Sequence, residues 1–359
     1  MAAVSNSVVH LTMRFGLETL SVGTGVLYLR DEKYFIVTAW HNVTGLHTET
    51  LGYLSKNAAV PDNVVVSLAV KRGAYVSRWR VVLPIYTESS ASFYIHPVNW
   101  PRIDVVAIPF DPCIHHDMEL WHPDGNVEHC KIDLLHTVPA GEVAKLCPAQ
   151  NYLPDRQMSQ RWLDSVAITD ELFIPGYPHD LKDIHGQPVW KRATIASSVQ
   201  HGWDEQPKYL IDSASKSGMS GSPVFFYSPR GVLTMGGTTL NLMREIAILA
   251  GIYVGRVGIQ GGNDPQIGTV WHPKVIDEII DGQHYERLPH AIEVPSRELE
   301  CAMAEVLKKI APEVVQRLSD SNSPYWQMII NDVLSRLQGR VSLKRVRQEM
   351  CAQAGLPVD

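Results

Sequence analysis

The sequence lacks any hydrophobic run long enough to cross a membrane. The most apolar stretch late in the chain, Ile246–Gly255, falls short of the roughly 18 residues of a membrane span and suits a buried strand. The N-terminus also lacks a charged start followed by an apolar core, since its first basic residue is Arg14, which excludes a secretory signal. We therefore expect a soluble protein with no membrane partner.

Cysteine is scarce, and positive charge is not in excess. The 359 residues include five cysteines, scattered and odd in number, which is a poor disulfide framework and fits a reducing compartment. The net charge is −6, whereas a chain-wide nucleic-acid surface needs a strongly basic balance. These features favour a cytoplasmic protein that does not bind nucleic acid. Hydrophobic residues make up 45% of the chain, which is enough to fold.

The first 280 residues contain a succession of short β-type segments. Runs rich in β-branched and aromatic residues are separated by Gly, Pro, Asn and Asp, which is typical of strands and turns. The first set is Val8–Phe15, Thr19–Leu29, Tyr34–Thr38, Val64–Val70, Tyr75–Tyr86, Phe93–His96 and Val105–Phe110. The second set, beyond the polar stretch Asp111–His136, is Glu142–Leu146, Glu171–Ile174, Val189–Ser197, Tyr209–Asp212, Pro223–Tyr227, Val232–Gly236 and Ala247–Gly255. Two such sets predict two small antiparallel barrels or sandwiches.

The pattern changes to helices after about Pro273. The helical signals are apolar periodicity, cap residues and helix-stopping residues, found at Val275–Ile280, Ser296–Ile310, after Pro312, from Ser323 to Leu337 before Gly339, and after Ser342. We therefore predict an N-terminal β-unit over residues 1–120, a C-terminal β-unit over 121–283 and a helical regulatory or docking segment over 284–359.

Three polar side chains stand at strand ends, and their order along the chain is informative. His41 follows the strand Tyr34–Thr38, Asp104 opens an apolar strand, and Ser220 lies in a glycine-flanked turn. A serine nucleophile needs a base such as histidine, and a carboxylate then fixes the tautomer of that histidine. The order His, Asp, Ser is that of chymotrypsin, whereas α/β-hydrolases run Ser, Asp, His.

Acyl transfer also needs two backbone N–H groups that converge on the developing oxyanion. Glycines beside a serine permit the tight turn that aims such groups, because glycine tolerates positive φ. In the segment around Ser220, the N–H groups of Gly218 and Ser220 are placed to donate.

Six segments together resemble the trypsin-like, chymotrypsin-fold serine peptidases, closest in style to bacterial trypsin-like and HtrA-like peptidase domains. They are Gly23–Leu27 (the Gly-[ST]-Gly entry strand), Tyr34–His41 ("LVTAAH"), Asp104–Ala107 ("DVAL"), Leu172–Pro178 ("IGYP"), Gly218–Pro223 ("GDSGGP") and Gly251–Gly255. The likeness covers roughly residues 20–280. It implies a mainly β, chymotrypsin-like double antiparallel β-barrel, here with a C-terminal α-helical appendage.

The resemblance also implies a role for each site residue in a serine endopeptidase acting on protein or peptide substrates, without metal or cofactor. Ser220 would be the nucleophile, His41 the general base, Asp104 the orienting carboxylate, and Gly218 and Ser220 the oxyanion hole. The strand Tyr253–Gly255 would pair with substrate backbone. Substrate-binding residues would be Ala214, Ser215, Tyr253, Val254 and Gly255.

Several departures from the family pattern bear on specificity and control. Met219 replaces the acidic residue that pairs with a newly cut N-terminus in secreted digestive members, and no Ile-Val-Gly-Gly start is present. We therefore expect control by loops, by partner proteins or by the helical segment. Ala214 is not the acidic residue that gives trypsin its preference for Arg and Lys, while Lys216 or Arg256 could favour an acidic substrate side chain.

Three alternatives stay open at this stage. The chain could be a catalytically inactive peptidase fold used as a binding or scaffold protein. The cluster of Cys113, His115, His116, His122, His129 and Cys130 invites a metal site, but its spacing matches no standard zinc pattern. The late basic residues could contact phosphate, or they could form a solvated helix face; they are Arg336, Arg340, Lys344, Arg345 and Arg347.

Overall fold

The computed structural model describes most of the chain as β-structure followed by helices. The described residues are 2–55, 59–98, 102–121, 126–134, 144–257, 266–310, 324–337, 340–341 and 343–354. Two antiparallel β-units precede a set of helices near the C-terminus. This confirms the predicted mainly β fold with a C-terminal α-helical appendage. Within these ranges, no helix combines the length and the apolar character that crossing a membrane requires.

The N-terminal sheet consists of eleven antiparallel strands. They are β1 (Val8–Phe15), β2 (Glu18–Arg30), β3 (Lys33–Thr38), β4 (Asn63–Arg72), β5 (Tyr75–Pro84), β6 (Tyr94–Ile95), β7 (Val106–Phe110), β8 (His115–Trp121), β9 (Val127–Asp133), β10 (Ala144–Leu146) and β19 (His284–Tyr285). The strand order is β19-β6-β7-β3-β2-β1-β4-β5-β8-β9, and β10 also pairs with β4. In the described residues, these pairs form an open path.

The C-terminal unit is a closed barrel of six strands, as the sequence predicted for this half. They are β11 (Glu171–Gly176), β12 (Val189–Ile195), β13 (Lys208–Asp212), β14 (Ser222–Ser228), β17 (Ile246–Arg256) and β18 (Ile267–Trp271). The ring runs β11-β12-β13-β18-β17-β14. A separate hairpin joins β15 (Val232–Met235) and β16 (Thr238–Asn241).

Seven α-helices are described, most of them near the C-terminus. They are α1 (Trp40–Thr44), α2 (Arg156–Ser165), α3 (Lys274–Gly282), α4 (Pro289–Ile292), α5 (Ser296–Leu307), α6 (Pro324–Arg336) and α7 (Leu343–Ala354). Short 3-10 helices cover Ala3–Ser7, Ala149–Asn151 and Pro178–Asp180. The helices predicted over Val275–Ile280 and within Ser296–Ile310 are confirmed. Pro312, Ser323, Gly339 and Ser342 lie outside the described residues.

Local sequence explains why these elements form. All but the last two residues of β17 are buried, which fits its nearly continuous apolar sequence, because a strand covered on both faces needs no polar alternation. Helix α2 begins where the Asp155 side chain accepts a hydrogen bond from the Met158 N–H at 2.8 Å, as an N-cap should. Helix α5 buries one face, consisting of Leu299, Ala302, Met303 and Val306.

Four apolar clusters hold the chain together, and the cluster between the two β-units positions the site. One fills the N-terminal sheet, another fills the barrel, and a third lies among helices α5 to α7. The remaining cluster joins both β-units: Val37 and Val105 from the first sheet pack in it with Ile252 from the barrel and Ile276 from α3. The ends of β3, β7 and β17 therefore meet at the junction between the two units.

Two features of the N-terminal sheet differ from the expected layout. The polar stretch Asp111–His136, which separates the two sets of predicted strands and has no predicted strand of its own, contains the hairpin of β8 and β9. Strand β10 also pairs with β4, so the pairing of the first sheet continues to Leu146, beyond the boundary expected at residue 120. The backbone supplies ladder hydrogen bonds whatever the side chains are, so a polar edge hairpin gives no hydrophobic signal.

Candidate active site

His41 lies in the first turn of the short helix α1, directly after β3. The helix closes at Gly45, whose φ is +67° and whose N–H donates to the His41 carbonyl at 3.0 Å. A left-handed glycine is the usual way to end a helix. The Thr44 hydroxyl also donates to the Trp40 carbonyl at 3.0 Å. These local bonds fix the backbone that carries the imidazole.

Asp104 reaches His41 because of the strand register. Strand β7 pairs with β3 so that Val106 faces Thr38, which places the residues just before β7 beside those just after β3. Asp104 Oδ1 accepts from the His41 backbone N–H at 3.0 Å, and Asp104 Oδ2 lies 2.7 Å from His41 Nδ1. The carboxylate thus holds both the main chain and the ring of His41.

The electrostatics of this pair favour a charged imidazole. Burial lowers the pKa of His41, but the negative charge of Asp104 and the hydrogen bond to it raise that pKa, and the net result lies above the ordinary value of 6.5. A hydrogen-bonded carboxylate stabilises the imidazolium form in this way. His41 Nδ1 carries the proton in this arrangement, so Nε2 of the neutral ring is available as a base.

Ser220 lies in a tight turn between β13 and β14 that docks against the strand leading to His41. Gly221 has a φ of +85°, and a Cβ there would overlap the Thr24 carbonyl oxygen and lie 2.9 Å from the Ala39 nitrogen. Only glycine fits such a position. The Asn42 side-chain amide donates to the Ser220 carbonyl at 2.9 Å, and the Thr24 N–H donates to the same oxygen at 3.0 Å.

The Ser220 hydroxyl donates to the Val254 carbonyl at 3.1 Å. Among the hydrogen bonds of the described residues, none joins Ser220 Oγ to His41 Nε2. The structure therefore brings together the segments that carry His41, Asp104 and Ser220 and forms the first of the two expected side-chain contacts. The second contact, between Ser220 Oγ and His41 Nε2, is not formed, because the hydroxyl donates to the Val254 carbonyl.

The two amides expected to form an oxyanion hole have no acceptor within the described chain. Gly218 has a φ of +92° and is buried against the Tyr177 carbonyl. The Thr24 hydroxyl donates to the Gly218 carbonyl at 2.8 Å and fixes this peptide. Neither the Gly218 N–H nor the Ser220 N–H donates to another described residue.

The residues expected to bind substrate separate into buried and accessible groups. The side chains of Ser215 and Tyr253 are buried, and their hydroxyls share a hydrogen bond. The Tyr253 ring packs in the barrel core, and its carbonyl accepts from the Gly221 N–H at 2.7 Å. Ala214 is exposed. The sequence did not indicate that the Tyr253 side chain faces inward.

Strand β17 has an open edge beside Ser220. Its pairing with β14 ends where Tyr253 faces Ser222, yet β17 continues to Arg256. On the other side it pairs with β18, with an irregularity between Tyr253 and Gly255. In the part of the chain that is described, residues 254 and 255 therefore have no β14 partner in the ladder, and such an edge can pair with an extended peptide.

Two residues of the site were missed as functional residues by the sequence analysis. Thr24 donates to the Gly218 carbonyl and accepts from the Tyr177 N–H at 3.1 Å. It therefore links the turn of Ser220 to β2 and to the loop after β11. Asn42 links Ser220 to α1. Thr24 stands inside the quoted segment Gly23–Leu27, and Asn42 directly follows His41, so proximity to the motifs was the available signal.

The structure also places several residues of the alternative metal site and of the alternative phosphate-binding surface. Cys113 is exposed, Cys130 lies in β9, and His122 is outside the described residues. In the part of the chain that is described, no three His, Cys, Asp or Glu side chains converge as metal ligands would. Arg336, at the end of α6, pairs with Glu305 in α5, and Arg340, which lies beyond α6, pairs with Glu298 in α5.

Similarity to known proteins is confined to three-dimensional structure. No protein-family model and no curated protein matches the sequence. The active form of the Rv3671c protease from M. tuberculosis aligns with 78% of this chain and 82% of its own, at 15% identity and a TM-score of 0.36. The serine endoprotease from Yersinia pestis aligns with 78% of this chain and 65% of its own, at 13% identity and a TM-score of 0.38. These structural neighbours are serine proteases, but such low values carry no argument about the activity of this chain.

Proposed function

We propose that this chain is a serine endopeptidase that hydrolyses protein substrates through an acyl-enzyme on Ser220. The observation that carries the proposal is the 2.7 Å contact between His41 Nδ1 and Asp104 Oδ2, next to a glycine turn that Asn42 ties to the same helix. A buried carboxylate that orients a histidine beside a serine turn is the arrangement that acyl transfer needs.

The proposed reaction begins with rotation of the Ser220 side chain away from Val254, into the staggered position that faces His41. His41 Nε2 then removes the hydroxyl proton as Ser220 attacks the peptide carbonyl, and Asp104 stabilises the imidazolium. The Gly218 and Ser220 N–H groups would bind the oxyanion. The imidazolium protonates the leaving amine, and water releases the acyl group by the same steps.

Substrate would bind as an added strand on the open edge of β17, at Val254 and Gly255. A backbone-paired peptide is held in register independently of its sequence, and adjacent side-chain pockets then give specificity. Ala214, the exposed member of the expected substrate-binding residues 214 and 215, is uncharged, so we expect a preference for uncharged residues at the cleaved position. Lys216 and Arg256 leave a preference for acidic residues as the second possibility.

The proposed endopeptidase would act in the cytoplasm and be controlled by a partner protein. All five cysteines are free thiols, which is the state expected in a reducing compartment. Helices α5 to α7 share an apolar cluster of their own, so they can fold as a docking unit. Deleting residues 294–359 should change the cleavage rate or the assembly state. Unchanged activity, stability and assembly would contradict this part of the proposal.

The test of the proposal is cleavage of a proteome-derived peptide library, analysed by mass spectrometry. The wild-type protein should produce defined cleavage products, whereas S220A should produce none. The matched control is S217A, because Ser217 is an exposed serine in the same turn and has no proposed role. Cleavage by S220A at the wild-type rate would refute the assigned nucleophile.

One observation favours a second function, that of a non-catalytic binding protein on the same scaffold. The Ser220 hydroxyl is engaged by the Val254 carbonyl instead of His41. In that case the wild-type protein would leave the library uncut but retain peptides on the edge of β17. An absence of cleavage that persists after candidate partners are added would favour this function over a latent enzyme.

A further inference from the structure

A buried ionic cluster lies directly behind the His41–Asp104 pair. Glu286 Oε2 accepts from Trp40 Nε1 at 2.9 Å and from Arg102 Nη1 at 3.0 Å. The Arg102 guanidinium also stacks over the Trp40 ring, 4.4 Å from its centroid. The exposed fractions of Trp40, Arg102 and Glu286 are only 0%, 5% and 3%. The cluster is therefore closed to solvent.

Each member of this cluster is tied to a different part of the site. Trp40 directly precedes His41, and Arg102 precedes Asp104 by two residues. Glu286 comes from a distant part of the chain, just after β19, where its N–H donates to the Phe93 carbonyl at 3.3 Å. One carboxylate thus bonds both segments that carry the pair.

Stability alone does not account for a buried carboxylate at this point. Burying two charges costs desolvation energy, and hydrophobic replacement of such a pair is often neutral. Indole and guanidinium donors that converge on one oxygen do, however, fix the two segments relative to each other, because each bond has a narrow range of distance and angle.

The charge of Arg102 also interacts with Asp104. Burial lowers the pKa of Arg102, while the negative charges of Glu286 and Asp104 act on it in the opposite direction. Among the described residues, Tyr86 is a further titratable group near Glu286, and burial together with the Glu286 charge raises its pKa. Glu286 therefore contributes to balancing the positive charge of Arg102, which also interacts with Asp104.

We propose that Glu286 is a positioning residue for the proposed peptidase reaction, holding the His41 and Asp104 segments together through Trp40 and Arg102. Its role in the rate rests on the proposed function. Its effect on His41 does not, because the imidazole titrates whether or not the protein turns over substrate. Through Glu286, the first residues of the C-terminal segment complete the site.

The test measures the titration midpoint of the His41 imidazole by NMR in the full-length protein, together with kcat/KM. In E286Q the Arg102 charge loses the part of its balance that Glu286 supplies, so the His41 midpoint should move to lower pH. A neutral amide oxygen is a weaker acceptor than a carboxylate, and the weaker positioning should lower kcat/KM by about ten-fold or more. The double variant R102M/E286Q removes both charges and should return the midpoint toward the wild-type value.

A matched control is D281N, which breaks a different carboxylate–arginine pair. Asp281 accepts from Arg30 at 2.6 and 2.8 Å, outside the Trp40 cluster. D281N should leave the His41 midpoint unchanged. If E286Q fails to fold, R102Q provides the opposite perturbation, because it leaves Glu286 as an unbalanced negative charge and should move the midpoint to higher pH.

The outcomes separate this inference from the proposed function. A wild-type midpoint and a wild-type kcat/KM in E286Q would overturn the positioning role, as would a midpoint that shifts equally in D281N. If E286Q does not fold, an unshifted midpoint in R102Q would overturn it instead. A wild-type protein without any turnover would contradict the proposed function, while the midpoints would still decide the role of Glu286.

Discussion

Replacing the buried Gly221 with alanine should destabilise the protein more than the same change at a glycine in an exposed turn. A Cβ at this position would overlap the carbonyl oxygen of Thr24 and the hydroxyl of Thr38, and would lie 2.9 Å from the Ala39 nitrogen. The φ of +85° adds about 1–2 kcal/mol of conformational cost for any residue with a Cβ. Relief of the overlap requires the turn of Ser220 to move away from β2 and β3.

The matched control for G221A is G73A. Gly73 has a φ of +54°, and a Cβ there would have no neighbour within 4 Å, so G73A carries only the conformational cost of about 1 kcal/mol. G221A adds steric overlap with backbone, for which we expect a total of roughly 3 kcal/mol or more. Each kcal/mol lowers Tm by about 2–4 °C in proteins of this size class.

Thermal and urea unfolding of both variants measures this difference, and kcat/KM measures its effect on the site. We expect G221A to lose stability and activity together, while G73A keeps its activity. Equal unfolding free energies for G221A and G73A would show that the turn of Ser220 does not dock against the strand that leads to His41. That result would refute the spatial convergence on which the proposed site depends.

Three further predictions concern charged groups. The base must be neutral, and Asp104 raises the pKa of His41 above 6.5, so kcat/KM should fall as pH drops through that raised pKa. A pH–rate profile whose acidic inflection lies below 6.5 would contradict this. D104N should lower kcat/KM by about 10³–10⁴-fold and move the acidic inflection of the pH–rate profile to lower pH. Burial raises the pKa of Glu119, but the larger combined effect of Arg14 and Arg80 leaves that pKa below its ordinary value. The stabilising effect of the Glu119 carboxylate should therefore be lost as pH falls through the lowered pKa. E119Q should cost about 3–5 kcal/mol in urea unfolding at neutral pH; an unchanged unfolding free energy would argue against this ion-pair network.

The positions of the candidate site residues could be predicted because each stands at a strand end. Register then brings the segments together: Val106 faces Thr38, so Asp104 lies beside His41. The direction of the Ser220 hydroxyl could not be predicted, because it depends on the Val254 carbonyl, 34 residues further along the chain. Sequence patterns constrain backbone placement better than they constrain a single rotamer.

Elements without a buried face were missed for a physical reason. All of β9 is exposed or only half-buried. Its alternation between apolar and polar side chains is limited to the stretch around Cys130 and Ile132, so the hydrophobic signal is short, and the ladder with β8 depends on backbone groups. Glu286 was missed because its partners Trp40 and Arg102 are 246 and 184 residues away. No local signal distinguishes such a carboxylate from an exposed one.

The most direct test of the central claim is labelling by a fluorophosphonate probe, followed by intact-mass measurement and peptide mapping. The account predicts one adduct, located on Ser220, in the wild-type protein and in S217A. It predicts no adduct in S220A and labelling slowed by several orders of magnitude in H41A. Labelling of S220A at the wild-type rate, or of H41A as fast as wild type, would contradict the claim that His41 activates Ser220.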